Sequence, residues 1–584
     1  MSQNQARLLP GLLLTGAAVF GLDWLPLVLK RPQAGTLVAA LPGLMFYLLA
    51  TLVAAGLVGL AAMILRRRRI DLWSQLGGPG LLMIGLALTW AADQAGGLPL
   101  LGQSRLKLTV LAAAAAVIVG LGLGLAARWL AGRGTRAWRR LAGLVLLILA
   151  LPAAALVLGC ALSGWHELPS RARQEAQPQP GPAEKGPNLI LISVDALRAD
   201  FLPAYGNRRV RTPNIDRLLA GAAILENTCS TSSLTLPGHT AMLTGRHPGE
   251  LGLLANVGRL PQGVATLAGS LGQAGLATAG VVSSTVLDPE TGIDRGFAWY
   301  LTAYPRYRES FHAFLALSLP RLAKEFLGLD VYAAANGRTG RLALDCLKGL
   351  EGRRFFLFIH FWGVHDPYRP PLRFYWSPLR SDPWLERLTP RGRYLGELLY
   401  VDEQIGRLID WLADRGLWDR TAVILTADHG EGLGEHGYMY HAREVYEEQL
   451  RVPLILRPAA GQGQARRLEE LISQREVPDL ALHLLGFQDW PPAGADLTAS
   501  HSSGGGKWAL SDGRRKVIFN PAEGTWQAFD LRADPEELAN LALPEPPWPD
   551  LVEALKARLA AFKSPAGEGA SPERRKALKA LGYL

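Results

Sequence analysis

A hydroxyl, two carboxylates and several histidines recur in this 584-residue chain next to short apolar runs. Thr235 opens the stretch Thr235-Leu-Pro-Gly-His-Thr-Ala-Met-Leu-Thr-Gly245, directly after a Ser/Thr-rich loop. A hydroxyl at the turn into a helix is placed to act as a nucleophile. The N–H groups and dipole of the helix start favour an anion at that spot. The same placement also suits an ordinary capping threonine. Leu191-Ile-Ser-Val-Asp195 and Ile424-Leu-Thr-Ala-Asp428-His429-Gly430 are apolar, β-rich runs that end in an acidic residue. Sites in α/β folds lie at that end of a strand. Asp195, Thr235, Asp428 and His429 together can hold one divalent cation with the nucleophile among its ligands. Such an ion lowers the pKa of a bound hydroxyl and neutralises charge on a phosphoryl or sulfuryl group in flight, help that a threonine nucleophile needs. An imidazole ligand favours zinc or manganese, with calcium or magnesium as the alternatives. Asp195 as a helix cap and Asp428-His429-Gly430 as a turn are the competing structural readings. The coincidence of all three at their expected positions favours a site.

Four further histidines enter the same picture. His365 follows a strand in His360-Phe-Trp-Gly-Val-His365-Asp-Pro-Tyr368, and His441 closes the polar loop Glu435-His-Gly-Tyr-Met-Tyr-His441. Either is suited to protonate a leaving group or grip a substrate oxygen, although an isolated loop histidine is as often merely solvated. His239 is expected to face the anion as a substrate-binding residue, and His360 to pack at its strand end.

The elements that must position these groups alternate between strand and helix from residue 188 onward. Continuous apolar runs at 188–194, 276–282, 355–360, 421–426 and 451–457 read as buried strands. Periodicity predicts helices at 213–220, 264–274, 338–350 and 394–412. This is a doubly wound α/β sheet, with helices on both faces. Short strands at 508–511, 516–520 and 525–531, then a helix at 551–562, predict a small antiparallel C-terminal subdomain.

The first 165 residues have a different texture. Hydrophobic residues make up 49% of the chain, and the excess is concentrated here. Runs at 8–29, 36–65, 77–92, 106–130 and 141–162 are candidate membrane spans, the third short and glycine-rich. The first is too long and poorly flanked for a cleaved signal peptide, so it reads as a retained anchor. Arg66, Arg67, Arg68 and Arg69 follow the second run, and Arg128, Arg133, Arg136, Arg139 and Arg140 the fourth. The positive-inside rule then puts the N-terminus inside and everything after residue 162 in the periplasm or exterior. Two crossings must separate the two arginine clusters, which supports the weak third run. The result is a multi-pass protein of the cell (inner) membrane. The net charge of +10 belongs largely to that topology, and nucleic acid is not the expected partner. Residues 169–187, rich in Pro, Gln, Glu and Ala, read as a semi-extended tether. The expected organisation is therefore 1–166 transmembrane, 167–187 linker, 188–500 catalytic and 501–584 C-terminal subdomain and tail. Of the three cysteines, Cys160 lies in a candidate span; one disulfide between Cys229 and Cys346 is open to the chain, but nothing in their spacing indicates it.

From residue 187 to about 531 the motifs resemble the sulfatase-like branch of the alkaline phosphatase superfamily. The stretches that carry the likeness are Ser193-Val-Asp-Ala-Leu-Arg-Ala-Asp200, Thr212-Pro-Asn-Ile-Asp216, the Thr235–Gly245 segment, Phe355-Phe-Leu-Phe-Ile-His360 with His365-Asp-Pro-Tyr368, and Thr426-Ala-Asp-His-Gly-Glu431. Arg451-Val-Pro-Leu-Ile-Leu456, Ala528-Phe-Asp-Leu531 and Asp534-Pro-Glu-Glu-Leu-Ala-Asn540 extend it. The departures bear on subtype. Sulfatases of this kind oxidise a Cys or Ser in Cys/Ser-x-Pro-x-Arg to formylglycine. Here Thr235 and His239 occupy the first and last positions, and a threonine would yield a ketone. Ala196 replaces the second acid of the usual Asp-Asp pair, Asp428-His429 stands for Asp-Asn, and the Gly-Lys-Trp-His segment is missing. An acid, a threonine and Asp-His resemble instead the metal set of phosphodiesterases and of membrane-bound phosphoethanolamine and phosphoglycerol transferases, which share the five-span layout. The Thr235 motif itself is closer to the hydrolase branch. The resemblance implies that His365 and His441 sit on the substrate side. It also implies a phosphoester of a lipid or cell-envelope glycan as substrate, attacked by Thr235 to give a covalent intermediate. A sulfatase lacking formylglycine and an inactive membrane scaffold are the alternatives.

Overall fold

Near-unbroken runs of Val, Ile, Leu and Phe have no polar face to give to water, so they must be covered on both sides. The computed structural model describes residues 172–174, 186–303, 335–375, 389–460, 465–489, 497–542 and 545–562, and this is the arrangement found there. The main sheet comprises β1 (Ala172–Gln174), β2 (Asn188–Val194), β3 (Ala223–Cys229), β4 (Ala277–Val282), β5 (Trp299–Thr302), β6 (Phe355–Phe361), β7 (Thr421–Thr426), β10 (Leu454–Arg457) and β11 (Arg466–Ser473), in the order β1-β5-β4-β6-β2-β7-β10-β3-β11. A two-stranded hairpin, β8 (Gly432–Leu433) with β9 (Met439–Tyr440), lies outside it. β2 is central and runs parallel to both β6 and β7.

Alternate residues of β2 feed two separate cores. Ile190, Ile192 and Val194 join one with residues of helices α3 (Ala335–Gly349) and α4 (Pro390–Asp414). Leu189 and Leu191 join the other, with residues of α1 (Thr235–Thr244), α2 (Leu267–Gln273) and α5 (Val477–Leu484). A four-stranded antiparallel sheet, β12 (Thr498–His501), β13 (Trp508–Ser511), β14 (Arg515–Asn520) and β15 (Thr525–Asp530), packs with α6 (Pro549–Ala561) around a core of its own.

The differences from expectation have local causes. The sheet is mixed, because β10 runs antiparallel to both β7 and β3. It begins at Leu454, since Pro453 has no N–H for a ladder, and Arg451 makes only an isolated bridge to Cys229. The helix expected at 213–220 is a 3-10 segment, Ile215–Leu219. The buried carboxylate of Asp402 accepts from the N–H groups of Asn214 and Ile215 and caps its start. Part of the expected tether, β1, pairs with β5. β12 straddles the boundary expected at 500. Cys229 and Cys346 are both buried and free. The five candidate spans lie outside the described residues, among which no helix is long and apolar enough to cross a membrane.

Helix α4 carries polar residues inward to hold irregular backbone. Tyr394 donates its hydroxyl to Ala196 O at 2.8 Å and accepts from Arg198 N–H at 2.9 Å. Ala196 needs this support, because its φ of 60° is a left-handed conformation that a Cβ disfavours. Tyr394→Phe should strand two buried backbone groups and lower stability by about 1–3 kcal/mol. A fall in the urea midpoint at unchanged slope is the expected observation.

Candidate active site

β2 and β7 lie side by side and in register, Ser193 opposite Thr426. The residues just past their ends therefore meet, and these are Asp195 and Asp428-His429. Helix α1 arrives from the other side. Gly238 on its first turn rests against Asp428, where an added Cβ would come within 2.7 Å of Asp428 O. Ser230 Oγ and Gln474 Nε2 both donate to that same carbonyl, at 2.5 and 3.2 Å. The aspartate is clamped by its backbone before its side chain does anything.

Thr235 is the first residue of α1, and Leu234, not Thr235, is the N-cap. The threonine hydroxyl is therefore not spent on capping. The first turn, however, presents no row of free amides to an anion. Leu236 N–H donates to Asn256 Oδ1 at 2.9 Å, Pro237 has no N–H, and Gly238 N–H is taken by Leu234 O. The expected contribution of the helix start shrinks accordingly.

The structure brings Asp195, Thr235, Asp428 and His429 together, all fully buried. His429 donates Nδ1–H to Gly430 O at 2.8 Å, so in the neutral ring the Nε2 lone pair faces the site; burial favours that form, but Asp428 and Asp195 raise the ring's pKa overall. The Nε2 atom lies 3.5 Å from Thr235 Oγ1, 3.6 Å from Asp195 Oδ1 and 3.5 Å from Asp428 Oδ2. Asp428 Oδ1 accepts from the N–H groups of Ala196 and His429, whereas its Oδ2 and both oxygens of Asp195 accept no hydrogen bond. Uncompensated buried carboxylate oxygens are costly. Burial, and then the charge of Asp428, push the Asp195 pKa well above the usual carboxylate range. Burial also works against Asp428, but His429 beside it and the Ala196 N–H on its Oδ1 hold it low. Two such carboxylates cannot both ionise there without a cation. Ligands on a tetrahedral ion with bonds of roughly 2.0–2.2 Å stand about 3.3–3.6 Å apart, which the three distances from His429 Nε2 match. This donor set fits one divalent ion.

A second buried group, His239, His360 and Asp428, also clusters closely enough to suggest a metal. Its proton positions argue otherwise. His239 Nδ1 lies 2.7 Å from Thr235 O, a carbonyl that can only accept, so Nδ1 bears the proton; Ser193 Oγ meets Nε2 at 3.0 Å. Ser283 N–H donates to His360 Nδ1 at 3.4 Å, which leaves the proton on Nε2. Neither ring turns a lone pair toward Asp428. Burial pushes His239 down to about 3 and His360 to about 4, so both are neutral. His239, expected to face an anion, has internal partners for both nitrogens, and its Nδ1 stands 3.5 Å from Asp428 Oδ2. His360 is more than strand packing, because its ring joins the cluster at 4.8 Å from that of His239.

His365 and His441 form the rim. The His441 ring lies 4.3 Å from that of His429 and 4.7 Å from that of His365, and the His365 ring 4.2 Å from that of Trp362. His365 Nδ1 bonds to Asp366 O. Burial and the neighbouring His441 push His365 down to about 3, and burial with His429 lowers His441 as well. Glu431, given no role from sequence, meets His441 Nδ1 at 2.9 Å, which leaves Nε2 as the nitrogen available to substrate. Glu431 follows Asp428-His429-Gly430 directly, and that adjacency was the one signal for it.

A family model described as Sulfatase matches residues 187–487. Among curated proteins, the chain is 25% identical over 477 residues to the multifunctional alkaline phosphatase superfamily protein PehA of Trinickia caryophylli, covering 61% of this chain and 91% of that one. It is also 25% identical over 431 residues to the choline-sulfatase of Rhizobium meliloti (strain 1021), covering 61% and 82%. Of solved structures, Ps i-CgsB in complex with k-i-k-neocarrahexaose shares the fold at a TM-score of 0.51 and 16% identity, over 68% of this chain and 98% of the other. An enzyme in complex with its substrate D-glucosamine-2-N,6-O-disulfate does so at 0.51 and 17%, over 66% and 100%.

The contact between Gly238 and Asp428 can be tested directly. Gly238→Ala should force α1 off Asp428 and lower stability by about 1–3 kcal/mol. It should also weaken divalent-ion binding, as read by chemical denaturation and by elemental analysis of the purified protein.

Proposed function

The chain belongs to the sulfatase family and is a hydrolase of the alkaline phosphatase superfamily, and from that premise we propose a membrane-anchored, metal-dependent enzyme that cleaves or transfers a phosphoester group through Thr235. The observation that carries this reading is the buried Thr235 hydroxyl, not used as a cap, 3.5 Å from His429 Nε2 and beside three oxygens of Asp195 and Asp428 that accept no hydrogen bond. Asp195, Thr235, Asp428 and His429 would hold the ion, with zinc or manganese favoured by the imidazole. Bound there, it supplies a lowered hydroxyl pKa and neutralisation of the ester's charge.

The chain's own groups do the rest. Thr235 Oγ bonds to phosphorus in line as the bond to the leaving oxygen breaks, giving a phosphothreonine. Water or an acceptor hydroxyl then attacks the same phosphorus and releases Thr235. His365 and His441 flank the approach and serve the leaving or entering oxygen. His239 holds the Thr235 carbonyl and acts as a support for the nucleophile. A sulfate-ester reading has the choline-sulfatase relative in its favour. Against it stands the threonine, which cannot yield the aldehyde. An inactive scaffold is the remaining alternative, and it leaves a costly buried carboxylate pair without a purpose.

Residues 1–166 are assigned to the membrane, 167–187 to a linker that ends in the sheet, 188–500 to the catalytic domain and 501–584 to the C-terminal subdomain. The loop arginines put the catalytic domain in the periplasm or exterior, where the substrate is a phosphoester of a lipid or envelope glycan.

Thr235→Ala should abolish phosphoester turnover by orders of magnitude with only a modest fall in bound metal, and Thr235→Ser should keep part of the activity. Mass spectrometry of the wild type trapped during turnover should find phosphate or a phosphoester on Thr235. Near-wild-type activity of Thr235→Ala on aryl phosphate or aryl sulfate esters would remove the nucleophile assignment, and faster turnover of sulfate than of phosphate esters would favour the sulfatase reading.

Topology is checked separately. Protease added to right-side-out vesicles should cut within 167–187 without opening them; cleavage only after lysis reverses the orientation.

A further inference from the structure

The two aspartates at the strand ends are held in different ways. Asp428 has Oδ1 anchored by two backbone N–H groups, which leaves Oδ2 for other use. Asp195 has no such anchor, since neither of its oxygens accepts a hydrogen bond. Its Oδ1 faces His429 Nε2 at 3.6 Å, and its Oδ2 faces His360 Nε2 at 3.4 Å. A carboxylate that must offer one chosen oxygen to an ion needs something to fix the other.

His360 is built to supply that. It lies opposite Val282 in the β4–β6 ladder, and the next residue along, Ser283, reaches it three ways. Ser283 N–H donates to Nδ1 at 3.4 Å, Ser283 Oγ stands 3.2 Å from Nδ1, and that hydroxyl donates to His360 O at 2.7 Å. With Nδ1 as acceptor, the only ring proton sits on Nε2, the nitrogen that faces Asp195. His360 is fully buried and its Nε2 has no hydrogen-bond partner; Asp195 Oδ2, equally unpartnered, stands 3.4 Å away.

We propose that His360 is a positioning residue that presents Nε2–H to Asp195 Oδ2 and so reserves Asp195 Oδ1 for the divalent ion. This rests on the metal reading above. It separates His360 from the role of ligand in a second ion site, because a protonated nitrogen has no lone pair to give. Ser283 takes part at one remove, by choosing which nitrogen bears the proton.

The test is calorimetric titration of zinc and of manganese into the chelator-stripped full chain in detergent, with thermal unfolding of each ion-free variant alongside. Wild type should bind one equivalent. His360→Leu should keep that stoichiometry and weaken the Kd by about 10–100-fold. His360→Gln, whose amide N–H reaches the Nε2 position, should restore most of the affinity. His360→Asn, whose amide stops near Nδ1, should not, and it serves as the second loss variant if leucine prevents folding. An unchanged Kd in the folded Leu or Asn variant, even with a lower melting temperature, overturns the positioning role and leaves the metal reading standing. Two equivalents in wild type, falling to one in those variants, makes His360 a ligand and overturns it too. No binding of either ion by wild type overturns the metal reading itself, and this inference with it.

Discussion

Two carboxylates buried side by side at the ends of adjacent parallel strands are the constraint from which the rest of this molecule follows. Asp195 and Asp428 share a site with no solvent, so each needs either a hydrogen-bond donor or a cation for every oxygen. The protein supplies backbone N–H groups to one oxygen, an imidazole N–H opposite another, and leaves two oxygens convergent with a lone pair and a hydroxyl. Those four atoms are the set proposed above to hold a cation. The surrounding clamps make sense as the means of holding like charges close: Ser230 and Gln474 on the Asp428 carbonyl, glycine at 238, and the left-handed Ala196 pinned by Tyr394.

The scaffold meets that demand with helix α4, which breaks the rule that a helix shows polar residues to water. Tyr394, Glu397 and Asp402 all point inward, and each serves irregular backbone. Glu397 accepts from Asn336 Nδ2 and Arg369 N–H, both at 3.0 Å, and so ties α3 to the loop beyond His365. Asp402 starts the 3-10 segment after Thr212. Burial pushes Glu397 up to about 8 and Asp402 to about 6, the cost of using carboxylates as internal connectors. One rigid 25-residue helix thereby positions three loops that have no regular structure of their own.

This explains what was legible in the sequence. Five strands of the doubly wound core announce themselves through continuous apolar runs; four keep their boundaries within one residue, and β10 starts three residues late because Pro453 decides that end. Asp195, Asp428 and His429 were readable because a strand end is a fixed place in such a fold. The strand of β10 was readable but its direction was not, since nothing in Leu454–Arg457 says whether its neighbours run with it or against it, and β3, β5 and β11 were not read at all. The inward residues of α4 were hidden because a mid-helix Asp or Glu is ordinarily a solvated face. His360 looked like packing because its task depends on Ser283, a residue 77 positions away. The direction of an imidazole proton is a tertiary fact: the sequence shows the ring, and only the neighbours show which nitrogen is occupied.

The same tertiary control shapes how an ester would be met. The groups around Thr235 are fully buried, and the rings of His365 and His441 stand between them and the outside. Burial keeps both rings toward the neutral form. The basic residue close by, Arg198, is committed to Asp200, Glu435 and the Glu431 carbonyl. None of Asp195, Thr235, His239, His360, His365, Asp428, His429, Glu431 and His441 carries a permanent positive charge. Among the described residues, an anionic ester entering this site meets histidine rings held toward the neutral form at the rim and the Asp195–Asp428 pair at the floor. Any negative charge kept on that floor repels an anion in a medium of low dielectric, and an ion bound there would remove the repulsion. Ion binding and ester binding are thus linked by charge: an ion held by this pair would favour the anion, and the anion the ion, by the same factor.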